Sequence, residues 1–77
     1  MWEFNIAIHS FEEVRKFVSL ATVQPFSVLV GGGNRWVNGK SFIGMFSLDF
    51  RRLLTVSIRC SEDDFNTFRS SAAQFGA

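Results

Sequence analysis

Trp2, Phe4, Ile6 and Ile8 alternate with Glu3, Asn5 and Ala7, and within a few residues the apolar spacing lengthens from two to three or four. That switch constrains the fold most, because period two marks a half-buried strand and period 3.6 an amphipathic helix. Ser10 stands at the change with Glu13 three positions on, a capping box in which each side chain satisfies a backbone donor of the first turn. A strand over 2–8 and a helix from Phe11 to Thr22 or Val23, ahead of Pro25, are predicted. Phe11, Val14, Phe17, Val18 and Ala21 share the helix's apolar face, with Glu12 early and Arg15 and Lys16 later on its wet face, as the helix dipole favours.

The remaining chain continues in the same manner. Phe26 to Val30 is an apolar, β-branched run, and Gly31-Gly32-Gly33-Asn34 is expected to reverse it into Arg35-Trp36-Val37-Asn38 as a hairpin. Ser41 caps a short helix ending at Phe46 or Ser47. Leu54, Val56, Ile58 and Cys60 alternate with Thr55, Ser57 and Arg59 in a fourth strand with one wet face, and Ser61 caps a last helix whose Phe65, Phe68, Ala72 and Phe75 share a face up to Gly76. The order β-α-β-β-α-β-α suits an α+β domain over residues 1–77, an antiparallel sheet with its helices on one face.

A chain of 77 residues builds one core, and ten Phe with two Trp give it large side chains to bury. The single Cys60 excludes an internal disulfide, and one His beside one Cys is too few soft ligands for a structural zinc. Eight basic and seven acidic residues leave a net charge of +1, too little to gather nucleic acid or anionic lipid. The start, Met1 to Asn5, lacks the basic segment of a signal peptide, and no apolar run reaches the ~20 residues that cross a bilayer, so a soluble protein is expected, with the lone cysteine pointing to the cytoplasm. Without a metal cluster, a cofactor motif or a nucleophile beside a base, the chain does not read as an enzyme.

Gly39-Lys40-Ser41 ends like a phosphate-binding loop, but the glycine that motif needs earlier is Asn34, and a hairpin rather than a buried parallel strand precedes it. Cys60 reads as a small buried hydrophobe and Arg51 and Arg52 as solvated connector residues. Phe42, Ile43, Met45, Phe46, Leu48 and Phe50 are more large apolar groups than one short helix and its connector bury on one face, so some are expected to meet a partner protein or a second copy in a homodimer.

The segment Val37-Asn38-Gly39-Lys40-Ser41-Phe42-Ile43-Gly44-Met45-Phe46-Ser47-Leu48 resembles the region around the regulatory serine of the HPr family, the small phosphocarriers of the bacterial sugar phosphotransferase system. Thr55-Val56-Ser57-Ile58 and Glu62-Asp63-Asp64 fall where that family has its last strand and the start of its last helix, and the pattern runs without a gap from Phe17 to Asp64. The resemblance implies an open-faced β-sandwich of four antiparallel strands and three helices. It also implies Ser41 as the target of a serine kinase, and Lys40, Phe42, Ile43, Met45 and Phe46 as a surface for proteins of the phosphotransferase system or a regulatory partner.

The family's phosphoacceptor motif, Gly-Leu-His-x-Arg-Pro-Ala, is not kept. In the ungapped register Ser10 takes the histidine's place, Glu12 the arginine's and Glu13 the proline's. Two carboxylates at this helix mouth repel the phosphoryl group that the family's arginine stabilises. The resemblance therefore implies an HPr-like variant without histidine phosphotransfer, acting as a regulatory or protein-binding module. The alternative is an active carrier that uses His9, one residue away, as a displaced acceptor; otherwise His9 is an exposed loop residue and Ser10 a helix cap.

Overall fold

The computed structural model describes residues 1–76. Strand β1 (Trp2–Ile6), helix α1 (Phe11–Thr22), β2 (Val28–Gly32), β3 (Arg35–Asn38), α2 (Phe42–Phe46), β4 (Leu54–Ile58) and α3 (Glu62–Ser71) follow in order, and a 3-10 turn spans Ala73–Phe75. The strands form one antiparallel sheet in the order β1-β4-β2-β3. The α+β class, the antiparallel sheet and the element order are those expected.

Each helix starts where its serine directs. Ser10, Ser41 and Ser61 are extended, and each side-chain oxygen accepts from the backbone N–H three residues on, satisfying a donor the helix itself leaves free. Val14, Phe17, Val18 and Ala21 of α1 and Phe65 and Phe68 of α3 pack onto Ile6, Val28, Val30, Leu54, Val56 and Ile58 of the sheet. Phe68 is the common neighbour within this layer, edge-on to Phe4, Phe17 and Phe26 with centroids 5.8–6.3 Å apart. Such contacts add about 0.5–1.5 kcal/mol each beyond area burial. The opposite sheet face carries Glu3, Asn5, Thr55, Ser57, Leu29 and Trp36, with no helix over it.

Several expectations are corrected. The first strand stops at Ile6, because there the chain turns from β4 to the C-terminal segment: Ile6 bridges Gly76, and the Ala7 N–H donates to the Phe75 carbonyl at 2.8 Å. The glycine run is mostly strand, not turn. Gly31 lies beneath the Trp36 ring, where a Cβ would come within 2.8 Å of its atoms, and only Gly33 takes a positive φ, +64°, opening a two-residue turn with Asn34. The last helix ends at Ser71, with the separate 3-10 turn carrying the apolar face on to Phe75.

The fourth concerns β4, which stops at Ile58, leaving Cys60 beyond it and only half-buried, its carbonyl accepting from Trp2 Nε1 at 3.1 Å. Ser57, expected on a wet face, is buried, since Glu3 and Leu29 flank it from the neighbouring strands.

Candidate functional site: the mouth of α1 and the aromatic surface beside it

The chain enters α1 through a tightly bonded turn. Ser10 Oγ accepts from the Glu13 N–H at 3.2 Å, and Glu13 Oε1 accepts from the His9 N–H at 2.8 Å. The reciprocal bond reaches one residue further back than a capping box places it. His9 is thus fastened by its backbone while its side chain is exposed. His9, Ser10, Phe11 and Phe50 line an open cleft of about 370 Å³. Glu12 faces Arg15 across 3.9 Å with both side chains exposed, a pair that water screens strongly.

Phe11 is the residue whose placement sequence spacing misjudged. Assigned there to the buried face of the helix, it is 70% exposed. As the first helical residue it stands at the lip of the element, ahead of the turn that Val14, Phe17, Val18 and Ala21 press onto the sheet. Its ring meets Phe46 of α2 edge-on at 5.2 Å, and Phe46 in turn stacks on Phe42 at 6.4 Å.

Helix α2 divides its side chains between two environments. Phe42, Phe46 and Ile43 are 42%, 45% and 85% exposed and continue the row begun by Phe11. Met45, expected on the partner surface, is corrected: it is fully buried and belongs to the core. Leu48 is buried as well, and Phe50 packs partly against the core. One α-helical turn brings positions 42, 43 and 46 to one side and sends 45 to the other.

Ser41 Oγ accepts from the Gly44 N–H at 3.1 Å, so the hydroxyl is a half-buried cap. Lys40 turns inward: its Nζ donates to the Gln24 carbonyl at 2.7 Å, tying the turn before α2 to the loop after α1. Nearby, Arg51 grips Asp49 through both its oxygens, at 3.0 and 3.2 Å. That side-chain hydrogen bond holds the Asp49 carboxyl below the usual carboxylate range and raises the Arg51 guanidinium.

Cys60 lies away from this surface, and burial first, then the Asp64 charge, pushes its thiol above the ordinary value. The thiol is therefore less nucleophilic at neutral pH than an ordinary one. Among the described residues no three of His, Cys, Asp and Glu come together as a metal site, and no helix is long and apolar enough to cross a membrane.

The arrangement is an apolar row on two elements, bordered by charges of both signs, next to an exposed imidazole. No protein-family model and no curated protein matches the chain. Among solved structures it is similar to one described as the crystal structure of HPr-C-His from Thermoanaerobacter tengcongensis, with a TM-score of 0.73 and 24% identity over 91% of this chain and 89% of that one. The fold is that of HPr.

Proposed function

We propose that this chain is an HPr-like protein of the phosphotransferase-system type that works by binding other proteins through the row formed by Phe11, Phe42, Ile43 and Phe46, without carrying a phosphoryl group on histidine. The observation that carries the reading is the exposure of these four apolar side chains, contiguous across the mouth of α1 and helix α2. An apolar patch of this kind on a small domain marks an interaction surface. Proteins of the phosphotransferase system or a regulator associated with it are the partners, in a bacterial cytoplasm, and a serine kinase acting on Ser41 would modify the edge of the same surface. Lys40 supports that surface from within by holding Gln24.

The absence of phosphotransfer follows from Ser10 and Glu12 in the places where the family has its acceptor and its arginine. The test is incubation with phosphoenolpyruvate and the first enzyme of the system. The expected result is no acid-labile phosphate on the chain, together with capture of a system protein that Ile43→Ser abolishes.

One observation favours a second reading, an active carrier: the His9 side chain is exposed at the cleft beside Ser10, and no other imidazole exists in the chain. A phosphohistidine found at His9, and lost in His9→Ala, would replace the binding-module reading with this one.

A further inference from the structure

We infer that the same aromatic row is the interface of a two-fold homodimer, so that the uncomplexed chain covers with a second copy the surface it presents to a partner. The dimer stands on the surface alone; only the competition with a partner rests on the function proposed above.

Area is the first argument. At about 200 Å² for a large side chain, the exposed parts of Phe11, Phe42, Ile43 and Phe46 come to roughly 500 Å² of contiguous apolar surface. The whole molecule exposes 4784 Å². A standard interface takes about 800 Å² from each partner, with an apolar centre and a polar rim. The row supplies that centre, and the flanking polar residues need add only the rim.

Charge is the second argument, and it selects the occupant. The rim carries both signs close together: Glu12 beside Arg15 on α1, and Asp49 beside Arg51 flanking Phe50. A partner surface of one sign would be attracted by half of this rim and repelled by the other half. A copy turned about a two-fold axis presents the same mixture in reverse, so that Glu12 of one chain can answer Arg15 of the other, and Arg15 Glu12. With a net charge of +1, the two copies repel each other little. The exposed apolar group on the open sheet face, Met1, Leu29 and Trp36, is smaller, roughly 340 Å² on the same reckoning, because the Trp36 ring already rests on Gly31.

Sedimentation equilibrium of the purified chain at about 100 µM, above the micromolar Kd of a weak interface of standard size, reads the outcome directly. Twice the monomer mass of 8.7 kDa is expected for the native chain. Ile43→Asp, at the most exposed position of the row, is expected to return the mass to that of the monomer with an unchanged circular dichroism spectrum, whereas Leu29→Ser remains dimeric. A monomeric native chain overturns the proposal, as does a dimer that survives Ile43→Asp or one that Leu29→Ser dissolves. A native monomer that still captures a system protein through Ile43 would overturn the dimer alone, leaving the proposed function in place.

Discussion

Phe11 meets Phe46 edge-on, with ring centroids 5.2 Å apart and planes inclined at 79°. Through this contact the first residue of one helix and the last of another form a single surface, although 34 positions separate them in the chain. Neither ring is needed to close the core, which Val14, Phe17 and Met45 complete beneath them. Exposed and buried members of the same two helices should therefore respond differently to substitution.

Truncating Met45 to Ala removes a fully buried side chain and is expected to cost about 2–5 kcal/mol. At about 4–8 °C per kcal/mol for a domain of this size, the melting temperature falls by about eight degrees or more. Ile43→Ser, two positions away but in water, is expected to leave the melting temperature within a few degrees. Thermal melts of the two variants side by side check the division, and equal losses would mean that α2 is core throughout.

At the mouth of α1, Ser10→Ala removes the acceptor for the Glu13 N–H and should destabilise the fold by about 0.5–2 kcal/mol. Glu13→Ala, which leaves the His9 N–H without its acceptor, should cost a similar amount. Because the two bonds fasten the same turn, the double variant should lose less than the sum of the single losses. Urea denaturation of the three variants measures this, and strict additivity would show that the bonds act separately.

Gly31→Ala tests why a glycine stands in the middle of a strand. The new Cβ would lie 2.8 Å from the Trp36 ring, so the ring must leave its place on the sheet. An altered Trp36 indole resonance in a proton–nitrogen NMR spectrum is expected, with a loss of stability. Gly33→Ala is destabilising for a different reason, the strain of φ +64° on a residue with a Cβ, and should leave that resonance unmoved.

Two groups give opposite pH dependences. Asp49 titrates lower in the folded chain, so its contribution to stability is present above the ordinary aspartate pKa and is lost as the pH falls through the depressed value. Cys60 titrates higher, so its contribution is present below the ordinary thiol pKa and is lost as the pH rises through the raised one. Arg51→Ala should bring the Asp49 carboxyl resonance back towards the midpoint of an unpaired aspartate. Alkylation of Cys60 should accelerate at a higher pH in the folded chain than in the unfolded one; coincident profiles would refute the shift.

Local signals carried the helices and tertiary contacts moved the strands. Ser10, Ser41 and Ser61 mark the helix starts in the sequence because a cap needs only the next three residues to act. Gly31 and Gly32 mislead, since glycine between two apolar runs usually signals reversal; here one makes room for Trp36 and the other lies close to Leu54. Ser41 is legible as the cap of the short helix, yet nothing near Lys40 in the sequence points to Gln24 as its partner. Within the site, the apolar richness of 42–46 was legible, but which members face water depends on where α1 lies. The exposure of Phe11 and the burial of Met45 both follow from that placement, which periodicity alone does not encode.

The strand order has a kinetic meaning. β4 is the last strand of the chain, yet it lies between β1 and β2, with Trp2 opposite Ile58 and Val28 opposite the same residue on its other side. The β2–β3 hairpin has all its residues close together in sequence and is able to form early, whereas β1 has no neighbouring strand until a segment some fifty positions away arrives. Closing so long a loop is slow, and the reward comes only when β4 docks along both edges at once. The rate of sheet assembly therefore rests on the capture of Leu54–Ile58, and until that capture Trp2–Ile6 is a strand with nothing to pair with.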